Sequence, residues 1–330
     1  PSRQIGAVGD LGDSLPMDNA SRMARADEQK YIHTYHGTTQ DIPESGYNVG
    51  GYAESDLGQG IYSTTSPYDA SNNYADPQTS QDLAGKIERR AEQLEVDLDI
   101  DFNEAKKQAY GELVGSPQVH PSMVRAENPV RIGGDETQFD LMAEADIEAV
   151  WDDASEQIAD QYADEIANGS YTAEDIKELT QDYARDLAYE NEYVTEPAIF
   201  DSLRNVAHRF DDVDIEQAIN DIVEQGYESM GAEELIDVLK SSEGIQYATS
   251  GDMGDLASGE LIRQAFEDAG YDSIIDATPN KKWGSESGRS NFMPDLEGTE
   301  HVIAFSPNQM RSVNAAFDPA KRSSSNLLAG

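Results

Sequence analysis

The feature that most constrains the fold of this chain is a long acidic block, residues 140–245, in which helical periodicity recurs several times. Apolar side chains follow one another there at three- and four-residue spacing, as at Ile147, Trp151 and Ala154, which predicts amphipathic helices. The first hundred residues of the block hold about 29 acidic against about 5 basic residues, and a charge run of this kind is usually a solvated helix face. The sequence therefore predicts a helical bundle with an acidic surface, in which Thr172 begins the second helix and Asp214 the fourth.

Stretches rich in β-forming residues lie on both sides of this block. Residues 30–38 and 60–65 precede it, and residues 271–276 and 300–306 follow it, each as a short run typical of a strand. A separate helical pattern occupies residues 80–113, and Ser258 precedes a further helical pattern, which it is predicted to cap. The predicted fold class is therefore α+β, with helices inserted between two β-containing parts. The predicted parts are a flexible N-terminal arm (1–29), a split α+β domain (30–139 and 246–330) and an acidic helical insertion (140–245).

The amino-acid composition excludes several classes of function. The chain has no cysteine, which rules out disulfides, cysteine-ligated zinc and thiol nucleophiles. It holds no run of about 18 apolar residues, so the sequence predicts no transmembrane segment. Its formal net charge of −42 repels nucleic-acid phosphates and anionic membranes, and we expect direct binding to neither.

The size of this charge has three explanations that the sequence leaves open. The three are adaptation of the surface to a saline environment, mimicry of nucleic acid for binding to basic partners, and solubility of the chain in a crowded particle. The first and third are favoured. The chain also begins at Pro1, with neither an initiator methionine nor an apolar signal core. Trimming of the sequence and processing from a longer polypeptide both agree with that start.

Two patterns that resemble metal sites lack features that metal binding requires. Residues 97–105, DLDIDFNEA, alternate aspartates like a calcium loop but lack its glycine at position six and its glutamate at position twelve. His33 and His36 lie three residues apart in a predicted strand, where their side chains point to opposite faces. We therefore predict no metal cofactor.

A loop-rich region near the N-terminus concentrates residues that could hold a flat ligand. A predicted strand ends in His36, Gly37 and Thr38, and the glycine allows a ligand to approach the backbone, whose N–H and C=O can bond an amide. A second predicted strand ends near Tyr62, and the helix that follows offers Tyr74. Two tyrosine faces could sandwich a flat ring.

Hydroxyl groups and one acidic residue extend this set. Ser63, Thr64 and Ser71 supply hydroxyls in the same region, and Glu300 opens a late strand of apolar residues. A carboxylate in that position can stabilise a developing cation, such as an oxocarbenium-like transition state. Each residue also has an ordinary interpretation, as a core histidine, a packing tyrosine or an exposed strand start. Their combination is what favours a site.

Several short motifs occur in a fixed order along the two β-containing parts. They are HGT (36–38), GQGIYST (58–64) followed by NYA (73–75), NP (128–129), GYDSI (270–274), TEHVIAF (299–305), FSPNQMRS (305–312) and FDP (317–319). This series resembles the ADP-ribosyltransferase superfold, in its His-Tyr-Glu branch of diphtheria-type toxins and poly(ADP-ribose) polymerases. It is most similar to the ADP-ribosyltransferase-like domains of bacteriophage and mobile-element polyvalent proteins. The resemblance covers about residues 30–78, 117–133 and 258–328.

The resemblance implies a fold of two small packed β-sheets with flanking helices that cradle NAD⁺ as a substrate, with the acidic helices as a large insertion. It implies that His36 holds ribose hydroxyls and that Gly37, helped by Ser71, bonds the nicotinamide carboxamide through its backbone. Thr38 and Ser63 belong to the same implied pocket. No metal is implied.

The remaining implied roles concern the two tyrosines and the acid. Tyr62 and Tyr74 would stack on the nicotinamide, and Glu300 would orient the nicotinamide ribose and stabilise its cation. The implied catalytic set is therefore His36, Tyr62 and Glu300. The spacing between the two tyrosines is one residue longer than in the polymerases.

One departure from the family bears on the acceptor. Arginine-modifying relatives carry a second Glu or Gln two residues before the catalytic Glu, and here that position is Gly298, with Glu297 one residue earlier. This counts against arginine as the acceptor. The predicted loop 277–299, which includes Lys282 and Trp283, occupies the place where relatives contact their targets.

The function implied is cleavage of the nicotinamide–ribose bond of NAD⁺ and transfer of ADP-ribose to a macromolecule, with a protein as the expected acceptor. A phage- or mobile-element origin implies action in the host cytoplasm, either directly or after packaging in a virion and injection. Two alternatives stay open. One is an NAD glycohydrolase, with water as acceptor, and the other is a non-catalytic acidic virion or cargo protein that keeps the fold.

Overall fold

The structure, a computed structural model, describes residues 15–39, 42, 46–47, 57–58, 60–76, 81–191, 193–210, 213–246, 254–288 and 294–328. The chain is mixed α and β, and it divides into two units. Unit 1 comprises Pro1–Thr137 and Gly270–Gly330, and unit 2 comprises Gln138–Ala269. Residues 246–269 therefore belong with the helical unit, whereas the predicted split domain resumed at 246.

Unit 1 holds a β-sheet, several helices and the N-terminal motif region. Its strands are β1 (Tyr31–Thr38), β2 (Ile61–Thr64), β3 (Gln118–Arg125), β4 (Pro129–Ile132), β9 (Ser273–Asp276), β10 (His301–Ala304) and β11 (Met310–Ser312). Its helices are α1 (Asn19–Glu28), α2 (Pro67–Asp69), a π-helical segment (Ala70–Ala75), α3 (Gln81–Leu98), α4 (Phe102–Leu113) and α13 (Pro279–Trp283). Short 3₁₀ turns cover Ser285–Ser287, Pro307–Gln309 and Pro319–Lys321.

The seven strands of unit 1 form one sheet in the order β11-β3-β1-β2-β10-β9-β4. β3 pairs with β1 along all eight residues, and β10 pairs with β2 along all four. β1 and β2, in contrast, pair only between Tyr35 and Thr64. The sheet therefore consists of a three-stranded and a four-stranded part joined by one residue pair, instead of the two separate packed sheets that the resemblance implies.

One of the hydrophobic core clusters of unit 1 lies on one face of this sheet. Apolar side chains from five of its strands meet there. They include Ile61, Val124, Ile275, Val302 and Met310, all nearly or fully buried. Burial of such side chains stabilises the sheet by roughly 1.5–3 kcal/mol each.

The four strands predicted at 30–38, 60–65, 271–276 and 300–306 are confirmed, as β1, β2, β9 and β10 respectively. The helical pattern predicted at 80–113 is confirmed, and it consists of two separate helices, α3 and α4, that pack on each other around a small core of their own. Asp99 has φ of +52°, which a helix interior does not permit. Asp101 then caps α4 by accepting from the backbone N–H groups of Asn103 and Glu104.

The flexible arm predicted at 1–29 is wrong for its last part, which forms α1. Asp18 caps this helix by accepting from the N–H of Ser21, and the guanidinium of Arg25 donates to the carbonyl of Ala316 at 2.8 Å. A capped first turn and a tie to the C-terminal segment hold these residues in place. Residues 1–14 lie outside the described part of the chain.

Two further predictions differ from the structure. Ser258 was expected to cap a helix, but the helix that contains it begins four residues earlier, at Gly254. The stretch 277–299 was expected to be a loop, but α13 occupies its beginning and a 3₁₀ turn follows. Pro279 in the first turn of α13 suits a helix start, since its fixed φ matches the helix and its missing N–H is not needed there.

Unit 2 is the helical part. Its helices are α5 (Ile147–Gln161), α6 (Ala163–Ala167), α7 (Ala173–Glu190), α8 (Ala198–Ala207), α9 (Ile215–Val223), α10 (Ala232–Ser241), α11 (Glu243–Gln246) and α12 (Gly254–Asp268). Its short strands are β5 (Gln138–Asp140), β6 (Glu144–Ala145), β7 (Val194–Thr195) and β8 (Ser229–Gly231), which pair as β5-β8 and β6-β7.

The helices predicted from periodicity in this unit are confirmed, and so are two of their first residues. Thr172 and Asp175 form a reciprocal capping box at α7, and Asp214 caps α9. Unit 2 holds 35 acidic residues against 6 Lys and Arg. It therefore carries most of the negative charge of the chain. None of the helices in the described residues is both long and apolar enough to cross a bilayer.

Candidate functional site

Several residues predicted to form the site, among them His36, Gly37, Tyr62 and Tyr74, lie around the place where β1 and β2 separate. Beyond the pair formed by Tyr35 and Thr64, the described residues 36–38 and 61–63 make no backbone pairing with each other. Continuation of the register would set Gly37 opposite Tyr62. The two strands therefore leave an opening between the C-terminal end of β1 and the N-terminal end of β2.

The backbone of Gly37 faces this opening. The N–H of Thr65 donates to the carbonyl of the residue before β10 at 2.9 Å, so Thr65 faces β10. Because successive residues of a strand turn their polar backbone groups to opposite edges, Thr64 and Tyr62 face β1. Tyr35 pairs with Thr64 and therefore faces β2. Gly37, two residues later, turns its N–H and C=O the same way, into the opening.

His36 bridges the opening with its side chain. Its Nδ1 lies 2.7 Å from the carbonyl oxygen of Tyr62, and because a carbonyl only accepts, Nδ1 carries the proton. The ring packs edge-on against Tyr47, with centroids 4.6 Å apart. Removal of the ring from water, with a smaller contribution from the neighbouring His120, lowers the pKa of His36 to about 4, although the hydrogen bond to Tyr62 acts in the opposite direction. The ring is therefore neutral at pH 7, and its Nε2 is a hydrogen-bond acceptor.

Tyr62 is fixed at its phenol end. Its hydroxyl donates to the carbonyl of Gly58 at 2.9 Å and lies 3.3 Å from the N–H of Leu57. Both contacts involve the turn that leads into β2. The ring is therefore held in one orientation at the mouth of the opening.

The helix after β2 begins as an α-helix and then changes type. Ser66 caps it by accepting from the N–H of Asp69, and Pro67 occupies its first position. From Ala70 the helix is π-helical, a form that accommodates one residue more than an α-helix would. This extra residue matches the longer spacing between Tyr62 and Tyr74.

The π-helical segment packs directly on Gly37. A Cβ atom on Gly37 would lie 2.1 Å from the carbonyl oxygen of Ala70 and 2.8 Å from Cβ of Tyr74. The glycine is thus required by the approach of the protein's own helix, in addition to any ligand. The Cβ atom of Tyr74 lies directly above Gly37. Ser71, in the same segment, is exposed.

The two other predicted hydroxyl residues lie within the strands. Ser63 is fully buried and donates to the carbonyl of Val302 at 3.1 Å, so its proton is used inside the sheet. Thr38 ends β1 opposite Gln118 of β3 and is half-buried. Ser63 therefore serves the sheet, while Thr38 lies beside the opening.

Glu300 immediately precedes β10 and is half-buried. Its backbone N–H donates to Oγ1 of Thr65 at 2.9 Å, which fixes it to the end of β2. Alternation continued from β10 places its side chain on the sheet face that carries His36 and Ser63. Among the described residues, its carboxylate has neither a hydrogen-bond partner nor an ion-pair partner. A cationic ligand group could therefore take that place.

Sequence reasoning missed a buried hydrogen-bonded pair of side chains next to this set. His301, which follows Glu300, places Nε2 2.7 Å from Oδ2 of Asp69. Both residues are almost fully buried, Asp69 at 1% and His301 at 5% exposure. The two are 232 positions apart, and nothing in their local sequence relates them. The one available signal is a carboxylate near a helix start in a segment rich in functional motifs.

Within the described residues, no group of three or more His, Asp or Glu side chains is placed to hold a metal ion. Comparison of the chain with protein-family models, with curated proteins and with solved structures found no match. The functional interpretation therefore rests on the motifs and on the geometry of the opening between β1 and β2.

Proposed function

We propose that this protein is an NAD⁺-dependent ADP-ribosyltransferase whose nicotinamide site is the opening between β1 and β2. The observation that carries the proposal is that Gly37 turns its N–H and C=O into this opening directly beneath Tyr74. A carboxamide offers two N–H donors and one carbonyl acceptor, which complement one backbone N–H and one C=O. Aromatic rings of Tyr62 and Tyr74 suit the flat ring that carries such an amide.

The sugar side of the ligand would meet His36 and Glu300. Because Nδ1 of His36 donates to Tyr62, its neutral Nε2 is left to accept from a ribose hydroxyl. The carboxylate of Glu300 lies on the same sheet face, and acceptance from a second ribose hydroxyl would hold it beside the sugar ring. These two residues thus suit a polyhydroxylated ligand with a cationic ring.

In the proposed reaction, the C–N bond between ribose and nicotinamide breaks, and its electron pair leaves with the nicotinamide. The ribose carbon then carries positive charge, which the carboxylate of Glu300 stabilises. A nucleophile of the acceptor forms the new bond to that carbon and loses its proton. Removal of one such electrostatic group typically lowers kcat by about 10²–10³.

The residue two positions before the acid argues against arginine as the acceptor. Gly298 has φ of +71°, in the left-handed region that residues with a side chain rarely adopt. It follows Glu297 in a turn closed by the N–H of Thr299 donating to the carbonyl of Leu296. A Glu or Gln at this position would be strained, so the second acid of arginine-modifying relatives has no place in this turn.

The test is nicotinamide release from NAD⁺ by the purified protein, with Glu300→Gln and Glu297→Gln compared. We expect Glu300→Gln to lower turnover by at least about 10², and Glu297→Gln, at an exposed position three residues earlier, to leave it near the wild-type rate. Equal loss in both variants, or wild-type protein that neither binds nor consumes NAD⁺ with a range of candidate targets present, would overturn the proposal.

A second experiment identifies the acceptor. The protein is incubated with NAD⁺ labelled in its ADP-ribose part and a bacterial lysate, and labelled macromolecules are sought. We expect label on protein that disappears with Glu300→Gln. Release of free labelled ADP-ribose without labelled macromolecules would identify water as the acceptor, and the enzyme would then be a glycohydrolase.

A further inference from the structure

We infer that the buried pair of Asp69 and His301 is the positioning device of this site. The pair joins the π-helical segment that carries Tyr74 to the strand that begins after Glu300, and so fixes the two residues relative to each other. The inference rests on the proposed function for its catalytic readout. Its structural content can be tested without turnover.

The contact between Asp69 and His301 is stable because water cannot reach either side chain to replace it as a hydrogen-bond partner. Nε2 of His301 lies 2.7 Å from Oδ2 of Asp69, and both side chains are nearly inaccessible. A buried carboxylate is tolerated only when it is hydrogen-bonded and paired. The second carboxylate oxygen accepts from the side-chain amide of Asn73, one turn along the segment. Asp69 is therefore fully engaged and cannot move independently.

The two partners stand at the two elements that matter most to the site. Asp69 is the last residue of α2 and directly precedes the π-helical segment. His301 is the first residue of β10 and directly follows Glu300. A displacement of either partner would therefore displace the stacking residue or the acid by a comparable distance.

The ring of His301 also contacts the two aromatic residues around it. Its Nδ1 lies 3.4 Å from the hydroxyl of Tyr74, which joins the phenol end of that side chain to the same histidine. Its ring stacks on the indole of Trp283 with centroids 5.3 Å apart and planes 19° apart. The histidine thus links the ring proposed for stacking with α13, which begins the segment proposed to face the acceptor.

A competing partner for His301 is already occupied. Asp276 lies directly opposite His301 in the sheet, and its carboxylate is almost as buried as that of Asp69. It accepts from the N–H and hydroxyl of Thr278 and pairs with Nζ of Lys282 at 3.0 Å. The carboxylate of Asp276 is therefore occupied by Thr278 and Lys282. His301 pairs instead with Asp69, the last residue of α2.

The experiment uses the full chain with Trp151→Phe, so that Trp283 is the sole tryptophan. His301→Gln keeps a donor but removes the ring, and Asp69→Asn keeps the shape but removes the charge. In both, we expect a shifted Trp283 emission and stronger acrylamide quenching. We expect kcat for nicotinamide release to fall by about 100-fold, the cost of a displacement near 1 Å, with KM changed less. His33→Gln, at an exposed histidine on β1, is the matched control.

The double variant His301→Gln/Asp69→Asn separates a joint role from two independent ones. We expect it to be no slower than the worse single variant, because both substitutions disrupt one pair. Glu300→Gln should lower kcat while it leaves Trp283 emission unchanged. Wild-type kcat in His301→Gln, or an unchanged Trp283 signal in both single variants, would overturn the inference. A wild-type protein without turnover would refute the proposed function alone, and the Trp283 signal would still decide the positioning role.

Discussion

His36 donates its Nδ1 proton to the carbonyl of Tyr62 across the opening between β1 and β2, at 2.7 Å. The side chain thus takes the place of the backbone pairing that the two strands lack there. Because burial keeps the ring neutral, the histidine supports the sheet and presents Nε2 as an acceptor with the same tautomer. Structural and proposed binding roles of His36 are therefore coupled through one proton.

This coupling predicts a pH dependence of stability. The pKa of His36 falls from its ordinary value of 6.5 to about 4 in the folded chain, so the unfolded chain takes up this proton first as pH decreases. The contribution of His36 is fully present above pH 6.5 and is lost progressively towards pH 4, by at most about 3 kcal/mol. The measurement is urea unfolding between pH 4 and 7 for the wild type and for His36→Asn.

Asparagine is the suitable comparison because its amide nitrogen can replace Nδ1 as the donor to Tyr62 without titrating. The difference in unfolding free energy between the two proteins isolates His36 from the carboxylates and from the other four histidines. We expect the wild type to lose more stability than the variant as pH falls through this range. Parallel pH profiles would contradict the assigned proton.

Gly37 and Gly111 form a matched pair of glycine-to-alanine substitutions in unit 1. A Cβ at Gly37 would meet the carbonyl oxygen of Ala70 at 2.1 Å, and backbone cannot give way as a flexible side chain can. We expect Gly37→Ala to destabilise the fold by about 1–3 kcal/mol and to abolish NAD⁺ binding. Gly111, in α4, has nothing within 4 Å of that position, so Gly111→Ala should stabilise by about 0.5–1 kcal/mol. Thermal unfolding and NAD⁺ titration measure both effects.

Deletion of Asn72 tests the role of the π-helical geometry. If the segment merely accommodates one extra residue, its removal should restore an α-helix and leave Tyr74 above Gly37. We expect nicotinamide release to stay within about tenfold of the wild type. Deletion of both Asn72 and Asn73 should rotate Tyr74 by about 100° and abolish activity. Complete loss with the single deletion would show that the π-helix itself is required.

The sequence predicted those elements whose pattern is local. The helices of unit 2 follow from their apolar stripes, and Thr172 and Asp214 were recognisable caps because a hydroxyl or carboxylate there satisfies free backbone N–H groups. The break at Asp99 was missed, since apolar periodicity continues on both sides of a single residue with positive φ. Ser258 was misassigned because a good capping residue is also tolerated inside a helix.

The candidate site shows the same limit more clearly. His36 and Tyr62 lie on β1 and β2, and Glu300 directly precedes β10, but the opening between β1 and β2 depends on long-range pairing that no local pattern encodes. The same holds for the pair of Asp69 and His301, which only tertiary structure brings together. Gly37 was recognised as a point of close approach, although the neighbour that the structure places there is the protein's own helix.

The buried ion pair of unit 2 supplies the last prediction. Arg263 donates to both carboxylate oxygens of Glu260, at 2.8 and 3.2 Å, and the two side chains are 8% and 9% exposed. We expect Arg263→Met to destabilise unit 2 by about 3–5 kcal/mol, because it removes the cation that donates to both oxygens of the buried carboxylate of Glu260. Arg185→Met, at an exposed pair with Asp182, should cost no more than about 1 kcal/mol. Urea unfolding followed by helical circular dichroism compares the two, and equal costs would show that burial does not govern the energy of this pair.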